Sequence, residues 1–145
     1  MGYYLQAIIG SQATLQKHAS DFQHIHVVSL THNIALIPLI NELYDEIGEG
    51  GDVDQFYKLS PGIEKWAQWL SIESMVAYIE AEFFGGVGGQ GAVAWTAGSR
   101  SLGPIHDRDS INQILRLLGV RRTIAKDAFD VVGLGLHRYT EDWVK

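Results

Sequence analysis

Val76–Ala97 reads VAYIEAEFFGGVGGQGAVAWTA, two strand-like runs around a loop with five glycines (Gly85, Gly86, Gly88, Gly89, Gly91) and no lysine. The first run alternates. Ala77, Ile79, Ala81 and Phe83 fall on one face, and Tyr78, Glu80 and Glu82 on the other. The glycines supply positive φ at a mobile tip, so the whole stretch reads as a β-hairpin. A register that keeps apolar residues together sets Phe83 opposite Val93 and Ala81 opposite Trp95. Glu82 then faces Ala94 and Glu80 faces Thr96, leaving a shallow acidic strip with Tyr78 and Gln90 near its ends. That strip suits a partner's basic side chain or an arginine of this chain, Arg100 being nearest in sequence. A solvated or internally paired sheet face carries the same residues.

Outward from the hairpin, the chain predicts an α+β fold. Tyr3 to Ile9 reads as a strand, and Ser11 as the cap of a helix through Leu15, Ala19 and Phe22. His24 to Leu30 reads as a second strand, Thr31-His32-Asn33 as a turn, and Ile34 to Ile37 as a short strand that Pro38 confines to an edge or an end. Ile40, Leu43, Tyr44 and Ile47 form a helical stripe stopped by Gly48. Ser60-Pro61 opens a helix with Ile63, Trp66, Ala67 and Leu70 on its apolar face. Asp109 is placed to cap a helix carrying Ile111, Ile114, Leu115 and Leu118, closed by Gly119. A last short helix spans Asp127 to Val132, and Tyr139 and Trp143 are expected to anchor the tail. The order β-α-β-β-α-α-β-β-α-α, without repeat or linker, implies one domain over 1–145: a small, mostly antiparallel sheet with helices on one face.

Composition narrows the function. The chain has 145 residues, 46% of them hydrophobic, and no cysteine, which removes disulfides, thiolate metal sites and thiol catalysis. A net charge of −6 argues against nucleic-acid binding. No apolar run approaches the roughly 20 residues that span a bilayer, and MGYYLQAIIG has no basic leader segment, so a cytoplasmic protein is expected. Charge is segregated. Glu42, Asp45, Glu46, Glu49, Asp52 and Asp54 come without a base, and Arg116, Arg121, Arg122 and Lys126 without an acid. The acidic stretch reads either as solvated loop or as a docking surface for a basic protein, with Glu46, Glu49, Asp52 and Asp54 at its centre.

Chemical motifs are incomplete. Gly86–Gly91 matches G-x-G-x-x-G, but the six residues Ala92–Ala97 before Gly98 cannot form the long helix that a dinucleotide site needs. Glu80 and Glu82 have a separation open to a glycosidase pair, without an aromatic-lined cleft to go with it. His24 and His26 would share one strand face at chelating distance, with His32, His106 or Asp107 as a third ligand that no spacing fixes. Gly98-Ser99-Arg100-Ser101 is not a nucleophile elbow. No catalytic residue and no cofactor are assigned.

The runs ALIPLI, YIEAEFFGGVGGQGAVAW and GLGLHRYTEDW resemble small bacterial proteins, some of which accompany secreted toxins as immunity proteins. The resemblance implies a cytoplasmic protein that binds and blocks a toxin without chemistry of its own. The expectation is therefore a non-catalytic interaction protein using the acidic hairpin. The alternatives are a small enzyme or small-molecule or metal binder in the same place, and a homo-oligomer joined through a strand edge.

Overall fold

The computed structural model describes residues 2–84 and 87–145. Its frame is a six-stranded sheet, every neighbouring pair antiparallel, of strands β1 (Tyr3–Ser11), β2 (Val28–Ser29), β3 (Ile34–Pro38), β4 (Val76–Phe84), β5 (Val87–Thr96) and β6 (Ser99–Ile105). The spatial order is β2-β3-β1-β4-β5-β6. Helices α1 (Gln12–Lys17), α2 (Asn41–Ile47), α3 (Pro61–Leu70), α4 (Ser110–Leu117) and α5 (Ala128–Val132) complete it, with short 3-10 helices at Leu134–Leu136 and Thr140–Val144. The α+β expectation holds.

The helices cover both faces of the sheet rather than one. On one face Leu5, Ala7, Ile9, Ala77, Ile79, Ala92 and Ala94 meet Ile111, Ile114, Val132 and Trp143. On the other, Ile8, Ile37, Val76, Tyr78, Val93 and Trp95 meet Leu15, Leu43, Phe56, Ile63 and Trp66. The physical reason is visible in β4, where both sets of alternate residues are buried. A strand flanked by two apolar layers does not divide into a wet and a dry side.

Helix start signals in the sequence match local structure, although α1 ends at Lys17 and leaves Ala19 and Phe22 beyond it. Ser11 and Ser60 accept hydrogen bonds from the N–H groups of Thr14 and Ile63, and Pro61 opens α3. Asp127 caps α5 through Asp130 N–H. At α4 the expected Asp109 side-chain cap is absent; the Gln90 side chain, reaching from β5, accepts from Ile111 N–H.

Two strand expectations change. The run His24–Leu30 pairs only at Val28–Ser29, because Glu46 takes the N–H groups of Gln23 and His24. Ser99–Ile105 forms β6, an edge strand to which the sequence reading assigned no element. The expected β4–β5 register also shifts. Phe83 lies opposite Gly88, Glu82 opposite Gly89, Ala81 opposite Gln90 and Glu80 opposite Gly91, while Val93 pairs with Tyr78. A continuous ladder from Phe84↔Val87 to Val76↔Trp95 satisfies backbone groups that the other register would leave in a long loop.

The C-terminal tail completes β1. Residues 3–6 of that strand extend beyond Pro38, where β3 stops. There Tyr4 N–H donates to the Arg138 carbonyl, and Gln6 N–H donates to the buried Thr140 hydroxyl.

Candidate functional site

The loop between α2 and α3 lies over the end of β4 and β5, and the sheet fixes it there. Glu80 Oε1 accepts from Tyr57 N–H (2.8 Å) and from the Tyr78 hydroxyl (2.7 Å). Tyr78 in turn accepts from Lys58 N–H at 3.1 Å. His106 donates from Nε2 to the Asp54 carbonyl at 2.9 Å, and its ring stacks on Phe56 with centroids 4.5 Å apart. Gly91 makes this stack possible: a Cβ there would stand 2.7 Å from the Phe56 ring and 3.3 Å from His106 Nδ1.

Between this loop, the hairpin and the segment entering α4 lies a pocket of about 650 Å³. Glu80, Glu82 and Asp107 supply its carboxylates, Tyr57 and Phe84 its aromatic walls, and Gly88 and Gly89 a surface without side chains. His106 and Arg108 border it as well. Tyr57 and Phe84 are 59% and 49% exposed, so both rings present area to solvent.

The two glutamates differ. Glu80 is only 9% exposed. Burial pushes its carboxyl above the ordinary range, against the opposing pull of the Tyr78 and Tyr57 hydrogen bonds and of His106. Glu82, half-buried and further along the same face, stands beside Tyr57. Hydrogen bonding to Glu82 and its negative charge hold the Tyr57 phenol above its usual pKa. Burial and the adjacent Glu80 raise Tyr78 much further.

Other expected site residues serve the framework. Tyr78 is fully buried and offers no contact area. The Gln90 side chain caps α4. Arg100 does not approach Glu80 or Glu82. It grips Glu64 through Nε (2.6 Å) and Nη2 (3.1 Å), and pairs with Asp54 at 2.6 Å. Glu64 also accepts from the buried Trp95 indole at 3.0 Å. Glu49 pairs with Lys65. Asp52 is exposed and forms no ion pair among the described residues. Burial alone would raise the Glu46 carboxyl, but the amides of Gln23 and His24 outweigh it, and its pKa falls below the ordinary value.

Gly85 and Gly86 lie outside the described residues. His24 and His26 do not share a strand, since β2 begins at Val28. His24 pairs with Glu46 through Nδ1 and His26 is exposed. No group of three His, Asp or Glu side chains among the described residues is arranged to hold a metal ion.

Sequence reasoning missed Tyr57, Phe84 and Arg108, and met His106 and Asp107 only as possible metal ligands. One signal was present: Phe56-Tyr57 puts two large aromatics in a polar loop, and such rings must either cover the body or stand exposed. Here Phe56 does the first and Tyr57 the second. Comparison with family models, curated proteins and solved structures found no match.

Proposed function

We propose that this chain is a non-catalytic interaction protein, of the bacterial toxin-immunity kind, which binds a basic protein partner in the cytoplasm through the pocket beside its hairpin. The observation that carries this reading is the pocket's lining: Glu80, Glu82 and Asp107 against Arg108, set between the exposed rings of Tyr57 and Phe84. Carboxylates attract and orient a cationic side chain, and exposed aromatics add contact area with little rotamer freedom to lose. Asp52 lies exposed in the same loop as Tyr57 and adds negative charge there, whereas Glu49 and Asp54 are paired with Lys65 and Arg100. The surface therefore joins the acidic hairpin to the acidic loop, two stretches distant in sequence.

The experiment is capture of the partner from a lysate of the native host by wild-type protein and by Glu82→Lys. Glu82 is the residue to change, because reversing Glu80 would also remove the acceptor that fixes Tyr57 and Tyr78. The expected outcome is a folded variant, judged by circular dichroism and thermal unfolding, that no longer retains a basic protein. Undiminished capture by a folded Glu82→Lys protein would overturn the reading. A second reading, a small-molecule site, is favoured by the volume of about 650 Å³, which is ample for a metabolite. A ligand at 100 times its Kd adds about 2.7 kcal/mol of stability, so a thermal-shift screen with nucleotides and sugars tests it.

A further inference from the structure

We infer that the pocket is a guanidinium site, built to receive an arginine side chain of the partner in preference to lysine. This inference rests on the basic-partner reading above and specifies its chemistry.

The first support is a convergence of acceptors. Glu80 is nine-tenths buried, and its Oε1 is occupied by Tyr57 N–H and the Tyr78 hydroxyl. Its Oε2 accepts no hydrogen bond among the described residues, although the side chain lines the pocket. That oxygen is not sealed from solvent, so it can accept from a donor that enters the pocket. Glu82 supplies a second carboxylate on the same face of β4, two residues along. Asp107, on the segment entering α4, supplies a third carboxylate to the lining.

The second support is shape. Several acceptors on separate elements match a flat fork of five N–H donors better than an ammonium, whose three donors radiate from one atom. The exposed rings of Tyr57 and Phe84 offer faces on which a guanidinium plane can stack. Gly89 leaves clear space, since a Cβ there would meet nothing within 4 Å. The molecule already assembles such a site internally: Arg100 is held by Glu64 through two nitrogens and by Asp54. Arg108 lines the pocket and makes no ion pair among the described residues. It is the like charge that an incoming arginine must displace or tolerate.

The test titrates the full chain, observed by amide NMR, with three blocked tripeptides: Gly-Arg-Gly, Gly-Lys-Gly and Gly-citrulline-Gly. The expected result is saturable shifts at Tyr57, Gly88 and Gly89 with the arginine peptide. Its affinity should exceed that of the lysine peptide by about tenfold, the worth of one further charge-assisted hydrogen bond. Citrulline, isosteric but neutral, should give no saturable shift. Glu82→Gln should weaken arginine binding, and Arg108→Ser should tighten it, a gain that mere structural damage does not produce. Equal affinity for arginine and lysine peptides, or no saturable shift with either, overturns the guanidinium site. If Glu82→Lys still abolishes partner capture in that event, the basic-partner reading stands without it. If capture is also unaffected, both fall.

Discussion

Glu80 and Glu82 show what strand periodicity conveys and what it omits. Alternation put both on one face of β4, and they are there. Depth was not legible, because it depends on what lies over the strand, and the loop that covers Glu80 comes from residues some twenty positions earlier. One consequence is measurable. Glu80's folded-state pKa is raised, so folding favours its protonated form. Its contribution is fully present below the unfolded pKa and is lost as pH rises through the folded value. Glu80→Gln keeps an amide oxygen for Tyr57 and Tyr78 but cannot ionise. Its melting temperature relative to wild type should therefore rise between about pH 4 and about pH 7. A difference that stays flat or falls across that interval would show that the buried carboxyl is not disfavoured as an anion. Arg100 is the opposite case. Its position in sequence suggested Glu80, but Trp95, Glu64 and Asp54 gather around it from other elements, and only the fold brings them together. Glu64→Ala removes the acceptor of the buried Trp95 indole and one anchor of Arg100. It should cost roughly 1–3 kcal/mol of stability by denaturant unfolding, whereas the same change at exposed Glu49 should cost almost nothing.

At the scale of elements, caps and glycine stops were readable because they act within one turn of chain. Ser11 and Ser60 cap as their sequences suggest, and Gly48 and Gly119 close helices with φ of 71° and 96°. Strand pairing was less readable because it is decided between elements. Apolar matching chose the wrong hairpin register, since both faces of β4 are buried and parity no longer distinguishes the alternatives. β6 was hidden by Gly103 and Pro104, residues an edge strand tolerates. The cap of α4 was hidden for the same reason: Gln90 belongs to β5, and nothing in SINQILRL names it. Gln90→Ala should leave Ile111 N–H without its partner and destabilise the fold by about 1 kcal/mol. Faster hydrogen exchange in the first turn of α4 would accompany the loss. An unchanged stability with unchanged exchange would mean that another group takes over the cap.

On the scale of the whole molecule, the acidic hairpin and the acidic loop looked like rival surfaces in the sequence and adjoin in the fold. The loop follows α2, which packs on one face of the sheet, and Tyr57, Phe56 and Lys58 carry it across β4 and β5. Segregated charge was legible; its meeting point was not, because that depends on which sheet face each helix takes. The tail acts at the same scale. The Arg138 carbonyl and the Thr140 hydroxyl accept from the N–H groups of Tyr4 and Gln6, on the part of β1 that β3 does not reach. These contacts act as a stopper on an otherwise open row of peptide groups. Removing residues 137–145 would uncover a strand edge beside apolar Leu5 and Leu39, the kind of template on which chains add to one another. Such a truncated protein should show light scattering that grows with concentration, while the full chain stays clear. The tail thus closes backbone groups of β1 that would otherwise stand open for pairing.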